Sequence, residues 1–216
     1  MYTKYTGVIL KKYPLGEADE LLTIYTKQLG KLRAKARGVR RIQSRLMGNL
    51  QTLNEIEFET AQAVQGFNRK SSLPVIISTR TRMINDYLRQ DLKKFAYALM
   101  GIETLYRITP DEEQNLGLYE ALVSFLQALG NSHDENLEVR RFQLKLLEGS
   151  GYGIQFPTEP INLSSAPIGD GQTTRKEKSS SPIHRLTPAL ERVIDQFLES
   201  VLEREIKSKR FLKSII

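Results

Sequence analysis

The stretch KLRAKARGVRRIQSR, residues 31–45, carries seven basic residues and no acidic one, and its first four cations, Lys31, Arg33, Lys35 and Arg37, stand on every second position. A period of two belongs to a β-strand, so these four share one face while Leu32, Ala34 and Ala36 share the other. The small apolar face suits the inside of a tight barrel and leaves the charges outside. Alternate residues lie about 6.6 Å apart along a strand, comparable with the phosphate spacing of an extended single strand. Arg40, Arg41 and Arg45 carry the row into the following loop.

The charge is local. Residues 1–50 hold eleven Lys or Arg against three Asp or Glu, whereas residues 51–216 hold twenty-one against twenty-two, so the whole chain's +7 sits at one end. A charge concentrated on one small region is an electrostatic footprint for a polyanion, with nucleic acid as the first candidate. If all seven cations met phosphates of a single strand, the salt slope of binding would be about −5.

Around this stretch the period-two pattern recurs over residues 6–13, 21–26, 53–59 and 74–78, and more weakly near 63–67, with a Gly-containing turn at 26–30. Short strands so spaced predict a small barrel or sandwich over residues 1–79. From residue 80 the spacing becomes three and four. Leu92, Phe95, Ala96 and Leu99 open one helical stripe, and Leu116, Tyr119, Leu122 and Leu126 form another. A third helix is predicted over 138–148 with Phe142, Leu146 and Leu147 on its apolar side. Residues 157–182, of which fourteen in 26 are Pro, Ser, Thr or Gly, predict a long flexible loop. Thr187-Pro188 then opens a last helix, whose stripe from Leu190 to Leu202 must return to the others to be buried. The expected class is α+β, a barrel followed by an all-α unit over 80–216.

Several chemistries are disfavoured. Cysteine is absent, and the two histidines, His133 and His184, lie in polar contexts, so neither thiolate catalysis nor a metal site is expected. No apolar run approaches the roughly 18 residues of a membrane span, and the N-terminal VIL is too short for a signal peptide, which predicts a cytoplasmic protein. Glu55, Glu57 and Glu59 share a strand face; a metal-dependent nuclease would need such carboxylates, but a solvated face paired to Lys or Arg explains them more simply. Gly169-Asp170-Gly171 lacks the strand and helix that would flank a phosphate loop. Tyr2, Tyr5, Tyr13, Tyr25 and Phe67 are available as base-stacking platforms. Arg140 and Arg141 open an otherwise apolar helix and could grip an acidic peptide. Lys207, Lys209, Arg210 and Lys213 complement the C-terminal end of the last helix.

Three segments, in order along the chain, resemble the RecO family of bacterial recombination mediators. Residues 15–51, LGEADELLTIYTKQLGKLRAKARGVRRIQSRLMGNLQ, are similar to its G-E-x-D-x-L-L-T, G-K-x5-R/K-G and S-R-L-x-G-x-L-Q signatures. Residues 140–156, RRFQLKLLEGSGYGIQF, resemble its R-R-F-x-L-x-L-L-x-x-x-G-Y segment, and IKSKRFL at 206–212 its ending. The resemblance implies an OB-fold barrel and a helical domain. It further implies binding of single- and double-stranded DNA, annealing of complementary strands, and action with RecR to load recombinase onto DNA coated by single-stranded DNA-binding protein. In those terms Lys31, Arg33, Lys35, Arg37, Arg40, Arg41 and Arg45 are the DNA contacts, and Arg140 and Arg141 hold the coating protein's acidic C-terminal tail. The four zinc-binding cysteines that many members carry after the G-Y motif are missing, so zinc is not carried over and no cofactor is expected. The reading is a non-enzymatic DNA repair and recombination protein associated with the bacterial nucleoid. An RNA-binding barrel and, less favoured, the nuclease are its rivals.

Overall fold

The computed structural model describes residues 2–41, 43, 44, 46, 48–61, 73–152, 188–202 and 206–215. The expected element near 63–67, the 157–182 loop, the 169–171 turn, His184, Thr187 and Arg45 lie outside the described residues.

Five strands come first: β1 (Tyr2–Leu15), β2 (Asp19–Thr26), β3 (Gly30–Ala36), β4 (Glu55–Ala61) and β5 (Val75–Met83). They close into a barrel in the order β1-β2-β3-β5-β4. All pairs are antiparallel except β3 with β5, and β1 is long enough to pair with both β2 and β4. This is the five-stranded OB-fold arrangement. β4 alternates buried and half-buried along its whole length, and Ile56 and Phe58 meet Ile9, Leu22, Ile24, Leu32, Ala34 and Ala36 inside the barrel. β5 runs to Met83, five residues past the alternation legible at 74–78, so the change from strand to helix comes at Ile84 and Asn85.

β1 serves two cores by the alternation of its side chains, and a bulge interrupts its register between Ile9 and Lys11. Ile9 faces the barrel interior, whereas Val8 and Leu10 join the helical core together with Tyr25. The helices are α1 (Asp86–Gln90), α2 (Leu92–Ile108), α3 (Leu116–Asn131), α4 (Glu135–Gly149), α5 (Pro188–Leu202) and α6 (Lys207–Lys213). Side chains of Asp91, Asn115 and Asp134 cap α2, α3 and α4 by accepting backbone N–H bonds. Gly101 of α2 lets Phe125 and Phe142 stack against it with centroids 4.4 Å apart; a Cβ there would meet the Phe125 ring at 2.5 Å.

Where a single last helix was expected, α5 ends at Leu202 and α6 begins at Lys207, with Ile206 extended between them. Glu103 of α2 accounts for the restart. Its carboxylate accepts from the Lys207 N–H at 3.0 Å, from the Ser208 N–H at 2.8 Å and from the Ser208 hydroxyl at 2.6 Å, and it also pairs with Arg107. Lys207 and its neighbours are therefore the start of a helix rather than the end of one. Burial pushes the Glu103 carboxyl up, but the bonds from Ser208 and Lys207 and the Arg107 charge outweigh it and hold it below the ordinary 4.5. A depressed folded-state pKa means that the contribution is present above about pH 4.5 and is lost as the pH falls through the lowered value. Melting temperature should thus drop on acidification below that point, and Glu103→Gln should flatten the drop; an unchanged profile in the variant would show that Glu103 does not couple protons to folding.

The barrel and helices are joined by satisfied polar contacts. The side-chain amide of buried Asn85 donates to the Leu53 carbonyl at 2.7 Å, and its backbone N–H donates to Asn54 Oδ1 at 3.2 Å. Arg89 donates to the Thr52 carbonyl at 2.6 Å. Gly30, at φ +72°, approaches the helical side so closely that a Cβ would stand 1.9 Å from the Glu113 carbonyl oxygen.

Candidate nucleic-acid interface

Register across β1, β2 and β3 sorts the outward side chains into rows. Val8, Tyr25 and Lys31 form the first, Lys11, Thr23 and Arg33 the second, and Tyr13, Leu21 and Lys35 the third; Leu15 and Asp19 lie beyond, beside the start of the 37–44 loop. The first row is covered by the helices, and each row beyond it carries at least one exposed side chain, Arg33 in the second and Tyr13 in the third.

Lys31 is set apart from the other cations of the row. It is buried, 8% exposed, and its ammonium donates to the carbonyls of Tyr106 at 2.8 Å and Thr109 at 2.7 Å. It also pairs with Asp111 at 3.2 Å. These bonds satisfy carbonyls at the C-terminal end of α2, where a cation also complements the helix dipole. Alternation placed Lys31 on the correct face, but one strand cannot reveal that a helical unit packs over that end of it.

The rest of the row is more open to solvent than Lys31. Arg33 is exposed and pairs with Asp111 at 3.2 Å. Lys35 is half-buried, while Arg37, Arg40 and Arg41 are exposed. The loop carrying the last three is fixed by its backbone. Gly38, at φ +63°, donates to Asp19 Oδ1 at 2.8 Å, and the Arg40 N–H donates to the Ala18 carbonyl at 3.0 Å. Gly38, Arg40, Arg41, Gln43 and Ser44 line an open depression. Among the described residues no carboxylate stands within ion-pair distance of Lys35, Arg37, Arg40 or Arg41.

The aromatic candidates separate cleanly. Tyr25 is fully buried, and burial with the nearby Glu113 charge pushes its hydroxyl up to about 12. Tyr5 stacks on Phe58 at 5.5 Å and belongs to the barrel core. Tyr2 and Tyr13 are exposed, and Tyr13 lies in the same row as Lys35, two strands and about 10 Å away. Phe67 lies outside the described residues.

Of Glu55, Glu57 and Glu59, the first two take the paired arrangement, both meeting Arg82. Glu57 meets Lys4 at 3.3 Å and Arg82 at 2.7 Å, and those two cations hold its carboxyl below the ordinary range. Glu55 accepts from the Tyr119 hydroxyl at 2.7 Å, and Glu59 is in register with Lys4. Among the described residues no cluster of three or more His, Asp or Glu could hold a metal ion, and no helix is long and apolar enough to cross a membrane.

Arg140 and Arg141 are not a presented pair. α4 begins at Glu135 rather than 138, which puts both arginines in its middle. Arg140 is 5% exposed and donates to Asp195 of α5 at 2.7 Å and to Gln143 at 3.0 Å. Asp195 also pairs with Lys209 at 2.8 Å, so Arg140 helps tie α4, α5 and α6 together. Arg141 is half-buried and pairs with Glu138 at 2.8 Å on the helix surface.

An OB-fold barrel with one basic face, braced by a helical unit, is the class of protein that fold and surface define. The chain belongs to the RecO family: the family descriptions "Recombination protein O N terminal" and "Recombination protein O C terminal" match residues 1–73 and 89–159. Proteins named DNA repair protein RecO are similar to it at 31% identity over 149 residues in Dehalococcoides mccartyi, 32% over 153 in Alkaliphilus metalliredigens and 31% over 151 in Clostridium perfringens. These matches cover 69%, 70% and 69% of this chain and 56%, 59% and 58% of the respective relatives. The chain thus spans little more than half the length of the curated relatives it matches.

Proposed function

We propose that this protein is a non-enzymatic mediator of DNA repair and recombination, binding single- and double-stranded DNA through its barrel and engaging protein partners through its helical unit. The observation that carries the reading is the uncompensated end of the basic row, Lys35, Arg37, Arg40 and Arg41, beside the exposed ring of Tyr13. Cations at strand spacing meet phosphates without regard to sequence, and an adjacent aromatic face accepts any base. A protein that neutralises the phosphates of two strands removes much of their mutual repulsion, so annealing of complementary strands needs no active site. Membership of the RecO family supports action in the cytoplasm with RecR, on DNA coated by single-stranded DNA-binding protein, to load recombinase. For the coating protein's acidic tail, Arg141 is the candidate contact. Its pair with Glu138 is a half-exposed i,i+3 contact of small energy, exchangeable for a peptide carboxylate.

Fluorescence-quench annealing of two complementary oligonucleotides precoated with single-stranded DNA-binding protein tests both halves. The protein should accelerate annealing when the coating protein keeps its tail and not when the tail is removed. Arg141→Ala should weaken the tail-dependent acceleration while sparing affinity for naked DNA. Tight DNA binding with no acceleration would remove the mediator function and leave a generic basic barrel.

A further inference from the structure

A second group of cations meets where the barrel joins the helices. Lys11 of β1 holds its ammonium 3.7 Å from the centroid of the Tyr106 ring, and Lys31 stands 4.6 Å from the same centroid. Arg107 follows Tyr106 on α2, and Lys207 opens α6 beside Glu103. The nearby carboxylates are committed, Asp111 to Lys31 and Arg33, and Glu103 to Arg107, Lys207 and Ser208. Among the described residues Lys11 has no carboxylate within ion-pair distance, and its direct contact is the Tyr106 π face. Burial holds the Lys11 pKa below its ordinary value; Glu103 opposes this, and Arg107, Lys31 and Lys207 add to it by repulsion. Among the described residues, more positive charge thus meets here than is neutralised.

We infer that Lys11 and Lys207 form a phosphate seat that carries the nucleic-acid backbone from the barrel onto the helical unit. Position supports the path. Lys11 sits on the same face of β1 as Tyr13, two residues and about 7 Å away, and in the same row as Arg33. Lys207 is exposed, and Lys11 is half-exposed. A phosphodiester supplies the missing negative charge without disturbing the bonds of Asp111 or Glu103. The inference rests on the proposal that the barrel binds nucleic acid, and it lengthens the footprint beyond the β3 row.

The test is the salt dependence of oligo(dT) binding, followed by fluorescence anisotropy with the full chain. Lys11→Gln and Lys207→Gln should each lower the magnitude of the slope by about 0.7, which at 0.1 M salt is about a fivefold loss of affinity. Lys11→Arg should restore the slope. Arg37→Gln, in the barrel row, should lower it similarly. Wild-type slopes in both Lys variants alongside a reduced slope in Arg37→Gln would overturn the phosphate seat and leave the barrel's role standing. A wild-type slope in all three would overturn the barrel reading and the seat with it. Weaker binding at an unchanged slope would show that Lys11 and Lys207 act without touching phosphate. Lys207→Gln, at an exposed position, keeps the inference testable if removing Lys11 harms folding.

Discussion

Changing Lys35, Arg37, Arg40 and Arg41 together to Glu should cut affinity for a single-stranded oligonucleotide by on the order of a thousandfold at 0.1 M salt, and leave the melting temperature near that of the wild type. Each phosphate contact on a single strand contributes about 0.7 to the slope of log affinity against log salt, so four contacts account for nearly three decades at that concentration. Reversal rather than neutralisation adds repulsion to the loss. Stability should hold because the loop is fixed by main-chain bonds, from Gly38 to Asp19 and from Arg40 to Ala18, and no described carboxylate depends on these side chains. Binding measured from 0.05 to 0.5 M salt decides the matter. A parallel shift with unchanged slope would mean that the loss is not electrostatic, and unchanged affinity would move the footprint off this face.

How far the sequence could be read depended on the range over which each signal acts. Alternation in β3 gave the correct face for every described cation, since Leu32, Ala34 and Ala36 do point into the barrel. Apolar spacing found α2, α3 and α5 because the same stripes that produce the pattern are the ones buried. The bulge in β1 left no such mark, because Leu10 is apolar whichever core receives it. The break before α6 depends on Glu103, some hundred residues upstream, capping the Lys207 and Ser208 amides. Arg140 was legible as a cation but not as a buried one, because its partner Asp195 stands on another helix. Lys11 gave no signal in sequence, since its setting is made by Tyr106, Arg107 and Lys207 converging from α2 and α6.

Lys31→Met separates the two parts a cation in this row can play. The substitution keeps most of the aliphatic stem and removes the ammonium, leaving the Tyr106 and Thr109 carbonyls without their 2.8 Å and 2.7 Å donor and Asp111 without one of its two cations. Buried acceptors that lose a charged donor cost about 1–3 kcal/mol each, and the C-terminal end of α2 loses a favourable charge as well. Global stability should therefore fall by on the order of 3 kcal/mol, seen as a lower urea midpoint at unchanged m-value. The salt slope for DNA should stay at the wild-type value, because a side chain bonded to two helix-terminal carbonyls is not offered to phosphate. The opposite pair of results, intact stability with a slope lowered by about 0.7, would return Lys31 to the row with Lys35 and Arg37. It would also mean that the helical unit lifts from β3 when nucleic acid binds, since no phosphate reaches that ammonium while Tyr106 and Thr109 hold it.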